Sequence, residues 1–373
     1  MIKVCHIADH LTGEVDGVYS HILSVIKLTN KQKFEHYLCF QGNKKIEEEI
    51  IGLGGKIIIL PQLTSKLPLR AIIQFVQIVR KNKIDIVHSH FLKSYIVAGL
   101  GNIMLKKKLI YNYHGLFIKN EYYNVFERMI YRLFHSIVCW LNSVQVAIVP
   151  SKESMNQLLL ETKLFPRIAQ YYNGAINEIG NNTLDQSIVA KIKAVESFKL
   201  VYVGRIEAEK RIDRVIRILK YLKNDGIRVH LFIFGSGNLE NEIVHLIDEL
   251  ELNNDVSLLG VGPHPANYFK FFDCLILTSD REGMPFVVWE SMSKGLPIVS
   301  SSVGGMTEVL NDAGSGLLFK KNNISEGVEK VKLLRNNIQL RYKLGSNGKR
   351  AIINEYNIEK FKKFIENLYS GLI

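Results

Sequence analysis

Cysteine is scarce in this sequence: the 373 residues include only four, and no two of them form a CxxC pair. Cys5, Cys39, Cys139 and Cys274 therefore lack the spacing of a zinc site or a redox motif. So few cysteines also exclude a small secreted scaffold that disulfides stabilise. We expect four buried thiols in a reducing compartment.

Long apolar runs, linkers and low-complexity tracts are absent as well. The N-terminal stretch is too short and too polar for a secretory signal peptide. The most apolar segment, 130–150, is interrupted by polar side chains, namely Arg132, His135, Asn142 and Gln145. These exclude a membrane-spanning helix, and we expect a cytoplasmic protein. With 47% apolar residues, 23% charged residues and eight prolines, the composition is that of a globular protein of two or three domains.

The charge is distributed unevenly along the chain. Residues 1–175 contain 22 Lys and Arg against 12 Asp and Glu, a net charge of +10, so that residues 176–373 contribute only +2 to the total of +12. A basic surface attracts phosphates, nucleic acid or anionic lipid, or it simply keeps the protein soluble. Because no zinc finger or RNP-type sequence is present, we expect no nucleic-acid partner.

A stretch of helical spacing between Phe117 and Trp140 combines seven bulky aromatic residues with three cations. A further lysine run, Lys106–Lys108, precedes it. Bulky aromatics beside cations suit a membrane interface, although a helix packed on the core would show the same pattern. We therefore expect peripheral binding to an anionic membrane surface through residues 1–175, on its cytoplasmic face.

Short apolar runs alternate with stretches of helical periodicity in both halves of the chain. Runs such as Lys3–Ala8, Ile84–His88 and Lys108–Tyr113 are apolar almost throughout, as in parallel strands that are covered on both faces. A second alternation starts at Lys199. The pattern predicts an α/β protein with two Rossmann-like, doubly wound parallel-sheet domains that face each other across a cleft.

The alternation weakens over Tyr172–Ser197, where Asn-Gly and Asn-Asn pairs are typical of a connection. The sequence thus predicts a first domain over 1–175, a connection over 176–197, a second domain over 198–355 and a C-terminal helix over 356–373 that packs back on the first domain. Ligands of such sheets bind at the carboxyl ends of the strands.

The strongest local signal is a strand, loop, helix and strand over 273–301 in the second domain. Its proline suits the first turn of the helix, and Gly295 suits the end of the helix. The loop Glu282-Gly283-Met284 places free backbone N–H groups at a helix N-terminus. The expected anion site spans Gly283, Met284, Pro285 and Phe286, of which proline supplies no N–H. Glu282 in the loop and Glu290 in the helix are suited to sugar or ribose hydroxyls, because a carboxylate accepts several hydrogen bonds.

Two further elements follow the first strands of the second domain. Gly204 allows close backbone approach, Arg205 lies at the carboxyl end of the predicted strand, and Lys210 is expected to open the following helix. These two cations can neutralise a diphosphate. Gly235 begins a Gly-Ser-Gly sequence after the next strand, which is a weak phosphate-loop signal because it lacks a Walker lysine.

In this order, the motifs resemble those of the retaining "glycosyltransferase group 1" family of GT-B fold. The resemblance rests on the sequence from Glu282 to Glu290, two glutamates with seven residues between them, on Gly204-Arg205 followed by Lys210, and on the glycine motifs near 235 and 304. It is strong over residues 199–320 and loose over the rest. It implies transfer of a hexosyl group from a nucleotide diphosphate sugar, a UDP- or GDP-sugar, to a hydroxyl of a glycan or lipid-linked acceptor, as in bacterial polysaccharide biosynthesis.

The resemblance also implies roles for individual residues. Arg205 and Lys210 would hold the leaving diphosphate, Glu290 the ribose and Glu282 the transferred sugar. In the first domain, Gly17 would approach the phosphates and His114 would lie near the sugar. Here the family's Gly-Gly loop reads Asp-Gly, with an aspartate at position 16 that would repel a diphosphate.

No Asp-x-Asp motif at a strand end offers a metal site, so we expect transfer without a metal and without another cofactor. Two other hypotheses remain open. A nucleotide-sugar epimerase or oxidoreductase would need the complete Gly-x-Gly-x-x-Gly sequence, which is missing. A catalytically inactive GT-B-fold binding protein would keep the fold without turnover. The sequence does not identify the base, the sugar, the acceptor, the linkage or the oligomeric state.

Overall fold

The computed structural model describes residues 1–9, 11, 17–65, 69–114, 125–142, 145–161, 167–171, 184–262 and 264–373. These residues form two compact units. Unit 1 comprises Met1–Asn173 together with Glu359–Ile373, and unit 2 comprises Gly174–Ile358. The aspartate at position 16 and the N-terminal part of the aromatic stretch, residues 117–124, lie outside the described residues.

Unit 1 is built from alternating strands and helices. In chain order they are β1 (Ile2–Ala8), α1 (Gly17–Leu28), β2 (Phe34–Phe40), α2 (Lys44–Gly52), β3 (Lys56–Ile59), α3 (Leu69–Asn82), β4 (Ile86–His90), α4 (Leu92–Leu105), β5 (Lys108–Asn112), α5 (Val125–Leu141), β6 (Gln145–Val149), α6 (Lys152–Glu161) and β7 (Arg167–Gln170).

The seven strands of unit 1 form one parallel sheet in the order β3-β2-β1-β4-β5-β6-β7. Because β1 leads to β2 on one side and β4 to β5 on the other, the topological switch point lies between β1 and β4. Alternate side chains of each strand point to opposite faces, so the sheet has an apolar core on both sides.

The chain then continues through unit 2. Its elements are α7 (Gln186–Lys193), β8 (Phe198–Val203), α8 (Ile212–Asn224), β9 (Val229–Phe234), α9 (Glu240–Glu249), β10 (Val256–Gly260), β11 (Cys274–Leu277), α10 (Phe286–Lys294), β12 (Ile298–Ser301), α11 (Gly304–Ala313), β13 (Gly316–Phe319), α12 (Ile324–Asn336) and α13 (Ile338–Asn354). The strands form a parallel sheet in the order β10-β9-β8-β11-β12-β13, with the switch point between β8 and β11.

The last helix, α14 (Ile358–Ser370), returns to unit 1. Its apolar side Phe361, Ile365, Leu368 and Tyr369 packs against one face of the first sheet. The hydroxyl of Tyr369 lies 2.8 Å from Nδ1 of His88, a strand residue of that sheet. The C-terminal segment is therefore part of the core of unit 1.

The two doubly wound parallel sheets are as predicted, and so are the four buried, free cysteines. Three details of the sequence prediction were wrong. The strand predicted at Ile84–His88 is β4 and ends two residues later, and the strand β7 was missed. Lys210 does not open a helix: it ends a short 3-10 turn, Ala208–Lys210, before α8 begins. Within the described parts of the chain, no helix has both the length and the apolar character that crossing a bilayer requires.

Candidate functional site

The candidate site of unit 2 lies at the carboxyl edge of its sheet, beside the switch point. Lys210 follows β8 and Glu282 follows β11, and these two strands are neighbours. Chain connections leave the two strands in opposite directions, so a crevice that can admit a ligand opens above them.

The structure joins Lys210 and Glu282 directly. The Nζ atom of Lys210 lies 2.7 Å from Oε1 of Glu282, and the two side chains are only 18% and 10% exposed. The hydroxyl of Ser279 donates to the same oxygen at 2.7 Å. A partly buried lysine held by one carboxylate is a preorganised cation, because its charge is positioned before any ligand binds.

Arg205, the second predicted cation, is not part of this pair. Its guanidinium donates to Glu209 at 3.0 Å, and its side chain is 55% exposed. Arg205 follows Gly204 at the end of β8, and its backbone carbonyl accepts a hydrogen bond from Tyr202 at 3.0 Å. The backbone of this loop is therefore fixed while the guanidinium remains accessible.

Two glycines permit the close packing of the loops around the pair. A Cβ atom on Gly235 would lie 1.9 Å from the carbonyl oxygen of Gly204, so only glycine fits between the β8 and β9 loops. Gly304 has φ +56, and a Cβ atom there would lie 1.7 Å from the carbonyl oxygen of Glu282. Gly304 was not among the predicted site residues, although it belongs to the Gly-Gly pair of the family motif.

Sequence reasoning also missed an ion network around Asp280, two residues before Glu282. Asp280 contacts Arg214 at 2.7 Å, Arg211 at 3.3 Å and Lys321 at 3.4 Å. Burial alone would raise the pKa of Asp280, but the hydrogen bond and charge of Arg214 hold that pKa below its ordinary value. The network fixes the loop between β11 and Glu282, and no spacing of residues in the sequence predicts this network.

The predicted anion site begins at the next helix. Pro285 is the N-cap of α10 rather than its first helical residue, and the helix begins at Phe286. Within the described part of the chain no side chain caps this end, so its first-turn N–H groups have no side-chain acceptor there. The loop residue Met284 is buried, and the backbone carbonyl of Gly283 accepts a hydrogen bond from the N–H of Gly305 at 2.7 Å.

Glu290 lies on α10 in a desolvated position. Burial raises the pKa of its carboxyl to about 7, and the charge of Lys294 lowers it only in part. Among the residues that the structure describes, no side chain hydrogen-bonds to this carboxylate. A carboxylate that loses water without gaining a protein donor is a typical ligand-binding group.

Replacing Glu290 by Gln is expected to stabilise the protein at pH 8. The folded state raises the pKa of this carboxyl above 4.5, so the unfolded state loses the proton first and the free energy of unfolding falls as the pH rises from 4.5 to about 7. Gln removes this penalty, worth about 1–3 kcal/mol at pH 8 and little at pH 4.5. Urea denaturation at both pH values measures this difference in the free energy of unfolding. The control is Glu249→Gln, at an exposed glutamate of α9. A Glu290→Gln variant that is less stable than the wild type at pH 8 would contradict the raised pKa of Glu290.

In unit 1, one predicted residue begins a helix and the other follows a strand. Gly17 opens α1, as predicted. His114 follows β5 by two residues and is partly exposed, and its Nε2 atom lies 3.1 Å from Nδ1 of His90 and 2.8 Å from Nδ2 of Asn112. Burial and the neighbouring histidines hold the pKa of His114 well below its ordinary value, so its imidazole is neutral at pH 7.

Comparison with known proteins agrees with this architecture. The family model "Glycosyl transferases group 1" matches residues 185–351, and "Glycosyltransferase Family 4" matches residues 15–175. The capsular polysaccharide biosynthesis glycosyltransferase CapM of Staphylococcus aureus is 23% identical over 82% of this chain and 81% of its own length.

A second relative is the UDP-Gal:alpha-D-GlcNAc-diphosphoundecaprenol alpha-1,3-galactosyltransferase of Escherichia coli, 23% identical over 100% of this chain and 97% of its own. The structure of Anabaena HepE in complex with UDP-glucose superposes with a TM-score of 0.81 at 16% identity, covering 100% of both chains. The two family models account for both units in turn, and the chain therefore belongs to the group 1 glycosyltransferases, with the two parallel-sheet Rossmann-like domains of GT-B enzymes.

Proposed function

We propose that this enzyme transfers a hexosyl group from a UDP-sugar to a hydroxyl of a lipid-linked or polysaccharide glycan, with retention of configuration and without a metal. The observation that carries the proposal is the Lys210–Glu282 pair at the switch point of unit 2. The names of CapM and of the galactosyltransferase support the acceptor class, and the UDP-glucose complex of HepE supports UDP over GDP.

In this proposal the residues of unit 2 act on the departing diphosphate. As the bond between C1 of the sugar and the diphosphate breaks, negative charge grows on the phosphate oxygens. Lys210, Arg205 and the N-terminal N–H groups of α10 stabilise that charge, which is the work that a divalent metal does in other transferases. Glu282, already bonded to Lys210, contacts the transferred sugar, and Glu290 accepts hydrogen bonds from the ribose hydroxyls.

In unit 1, the proposal assigns Gly17 to the phosphates and His114 to a sugar hydroxyl. Retention follows if the acceptor oxygen attacks C1 from the face that the diphosphate leaves. The acceptor proton then passes to a diphosphate oxygen, and no covalent enzyme intermediate is needed.

A donor and acceptor screen tests the proposal directly. The purified chain is incubated with UDP-glucose, UDP-galactose, UDP-N-acetylglucosamine and GDP-mannose, each with short polyprenyl-diphosphate-linked glycans, in the presence and absence of EDTA. We expect release of UDP coupled to a longer glycan, unaffected by EDTA, and an anomeric ¹H coupling in the product that matches the donor. Interconversion of the nucleotide sugars would instead support the epimerase hypothesis. Tight UDP binding without any turnover would support the hypothesis of a catalytically inactive binding protein.

Titration with UDP separates the roles of the two glutamates. Glu290→Gln is expected to weaken UDP binding about tenfold, because a charged acceptor of ribose hydrogen bonds is lost. Glu282→Gln is expected to lower turnover more than UDP affinity. Isothermal titration calorimetry and initial rates measure both, and the opposite pattern would exchange the two roles.

We also propose that unit 1 binds the surface of an anionic membrane through the outer face of α5. Four large apolar side chains lie on that face and are between 60% and 76% exposed: Phe126, Met129, Leu133 and Trp140. Their helical spacing gives one continuous apolar stripe on the side opposite the buried residues of the helix. The adjoining Arg132 is exposed.

Basic residues adjoin the C-terminal end of this stripe. Asn102 of α4 donates to the side chain of Asn142 at 2.8 Å and to the backbone carbonyl of Lys107 at 2.9 Å. This brings the lysine run at 106–108 to the end of α5 that carries Trp140. Apolar side chains beside cations match an anionic lipid surface, where each cation contributes about 1 kcal/mol.

Binding to phosphatidylglycerol vesicles is expected to exceed binding to phosphatidylcholine vesicles and to fall as salt is raised, since screening acts over about 8 Å at physiological salt. Leu133→Glu is expected to lower the fraction of sedimented protein about tenfold or more, because a charge replaces an inserted apolar side chain. Ile353→Glu in unit 2 is the matched control, since Ile353 is 70% exposed. Equal loss in both variants, or equal binding to both lipids, would refute the surface.

A further inference from the structure

Six histidine rings gather on one face of the sheet of unit 1. They come from β1, β2, β4, the end of β5 and α1: His6, His36, His88, His90, His114 and His21. All except His114 are at most 2% exposed. Buried imidazoles need hydrogen-bond partners, and these rings find most of them in each other.

Four of the rings form a continuous hydrogen-bonded chain that starts at Thr29, and we call it the imidazole chain. The hydroxyl of Thr29 lies 2.7 Å from Nε2 of His36. Nδ1 of His36 meets Nε2 of His6 at 3.1 Å, Nδ1 of His6 meets Nε2 of His90 at 3.1 Å, and Nδ1 of His90 meets Nε2 of His114 at 3.1 Å. Linked rings have centroids 5.3–5.4 Å apart and planes within 25–27° of each other, as expected when an N–H points at a lone pair in its own plane.

The first link gives the chain a direction. The Thr29 hydroxyl has one proton, and at 2.8 Å from the carbonyl oxygen of Val25 it donates that proton there, because a carbonyl can only accept. Nε2 of His36 must then donate to Thr29. A neutral imidazole has one donor and one acceptor, so Nδ1 of His36 accepts from His6, and the same order repeats through His90. Each ring carries its proton on Nε2.

The same order holds at the exposed end of the chain. Nε2 of His114 donates to His90, and the side-chain amide of Asn112 lies beside the same ring, 2.8 Å from Nε2 and 3.4 Å from Nδ1, so its oxygen is the amide atom that matches this N–H. In the structure the amide has the opposite orientation, and its buried Oδ1 atom has no hydrogen-bond partner among the described residues. Turning the amide over pairs this oxygen with His114 and places the amide N–H₂ beside His88.

A metal ion is the other use for such a cluster, because ligand atoms of His6, His88 and His90 lie within 4.8 Å of one another. The geometry disfavours it. The rings of His88 and His90 are stacked 4.5 Å apart with planes only 25° from parallel, so their lone pairs do not converge on one point. Both nitrogens of His6 already bond to His90 and His36.

We propose that the imidazole chain fixes His114 in the tautomer with its proton on Nε2, so that Nδ1 is left as the acceptor for a hydroxyl of the sugar substrate. The proposal rests on the function proposed above. Thr29 acts as a positioning residue, four hydrogen bonds away from Nδ1 of His114. His21, His88 and Tyr369 pack around the chain and close it from water.

NMR of the full chain labelled with ¹⁵N-histidine tests the tautomer without any need for turnover. The protonated and lone-pair nitrogens of a neutral imidazole have well-separated ¹⁵N shifts, and loss of a signal in His114→Gln assigns that ring. We expect Nε2–H for His114 and for the three buried rings. UDP-glucose, but not UDP, is expected to shift the Nδ1 signal of His114. Nδ1–H on His114 in the wild type, or no shift with UDP-glucose when UDP-glucose binds, would overturn the proposal.

Thr29→Val removes the acceptor at the far end of the chain. An unpaired N–H costs more than an unpaired lone pair, so the protons are expected to move to Nδ1 along the chain. We expect kcat to fall about 3- to 30-fold, as for loss of one hydrogen bond, with UDP affinity unchanged. Thr29→Ser keeps the hydroxyl and is expected to restore both tautomer and kcat.

Ser24→Ala is the matched control. Ser24 has a buried hydroxyl on α1 that donates to the backbone carbonyl of Ser20 and takes no part in the imidazole chain. Unchanged kcat in Thr29→Val with altered tautomers, or equal losses in Thr29→Val and Ser24→Ala, would refute the positioning role. Absence of UDP binding by the wild type would count against the proposed function instead, and the tautomer of His114 would still be read from the spectra.

Discussion

Replacing Lys210 by Met is expected to lower the kcat of sugar transfer by about 30- to 1000-fold, since loss of one preorganised charge on the leaving group is worth about 2–4 kcal/mol. Lys210 is only 18% exposed and is held by Glu282 at 2.7 Å, so its charge is in place before the donor binds. Arg205→Ala is expected to act in the same direction. Initial rates at saturating donor measure the effect.

The control is Lys220→Met. Lys220 is also a partly exposed lysine of unit 2, but its Nζ atom donates to the backbone carbonyl of Leu250 at the C-terminal end of α9. Lys210→Met leaves Glu282 without its cation, so we also expect unfolding at a lower urea concentration, and rates must be compared below that transition. Near-wild-type turnover in Lys210→Met, or equal loss in Lys220→Met, would refute the assignment.

The double variant of Lys210→Met with Glu282→Gln is expected to lose less activity than the product of the two single losses. Residues in direct contact do not act independently, because each single change removes the same pair. Strict additivity would mean that the carboxylate and the lysine act on separate parts of the donor.

Unit 1 is expected to unfold between about pH 6.5 and pH 5, while unit 2 stays folded. Burial lowers the pKa of six histidines of unit 1, to about 3 for His36 and about 4 for His135, and well below 6.5 for His6, His88, His90 and His114. Below pH 6.5 these histidines bind protons in the unfolded state, whereas in the folded state they remain neutral. The free energy of unfolding therefore falls as the pH falls. Each such imidazole lowers the free energy of unfolding by up to about 1.4 kcal/mol per pH unit. Over this pH range the six together are comparable with a typical domain stability of about 5–15 kcal/mol.

Two probes separate the units. Trp289 is fully buried in unit 2, so its fluorescence in a Trp140→Phe background reports that unit alone. Hydrogen exchange of peptides from β1, β4 and β5 reports unit 1. Unit 2 has one histidine of lowered pKa among its described residues, His230, and is expected to lose little. Loss of both units at the same pH, or a unit 1 that stays protected at pH 4.5, would contradict the prediction.

The repeated apolar runs were enough to predict both parallel sheets. A parallel strand is buried on both faces, so it must be apolar along its length, and that property is local. The boundaries of the strands were predicted less accurately than the sheets themselves. His90 follows an alternation of polar and apolar residues, which hides the end of β4 because its polar side chains are buried in hydrogen bonds to other histidines.

The sequence by itself singled out the candidate donor residues, because a glycine next to a strand end and a proline at a helix start have local causes. Glu282, Glu290, Arg205 and Lys210 could be named from these local elements together with the resemblance to the family. Their partners could not, since the contact between Lys210 and Glu282 joins residues 72 positions apart and depends on β8 and β11 being neighbours.

The imidazole chain was decided only by the tertiary structure. His88 and His90 share a face because strand side chains alternate, and that much can be read from two positions. The link to His6 and His36 needs the register of β1 with β2 and β4, in which His6 pairs with His88 and Val4 with His36. The helix α14 covers the imidazole chain, although its residues come nearly 300 positions later in the sequence. The local sequence of α14 predicts an amphipathic helix but not this contact. Burial, pairing and tautomer all follow from contacts between segments that no local pattern connects.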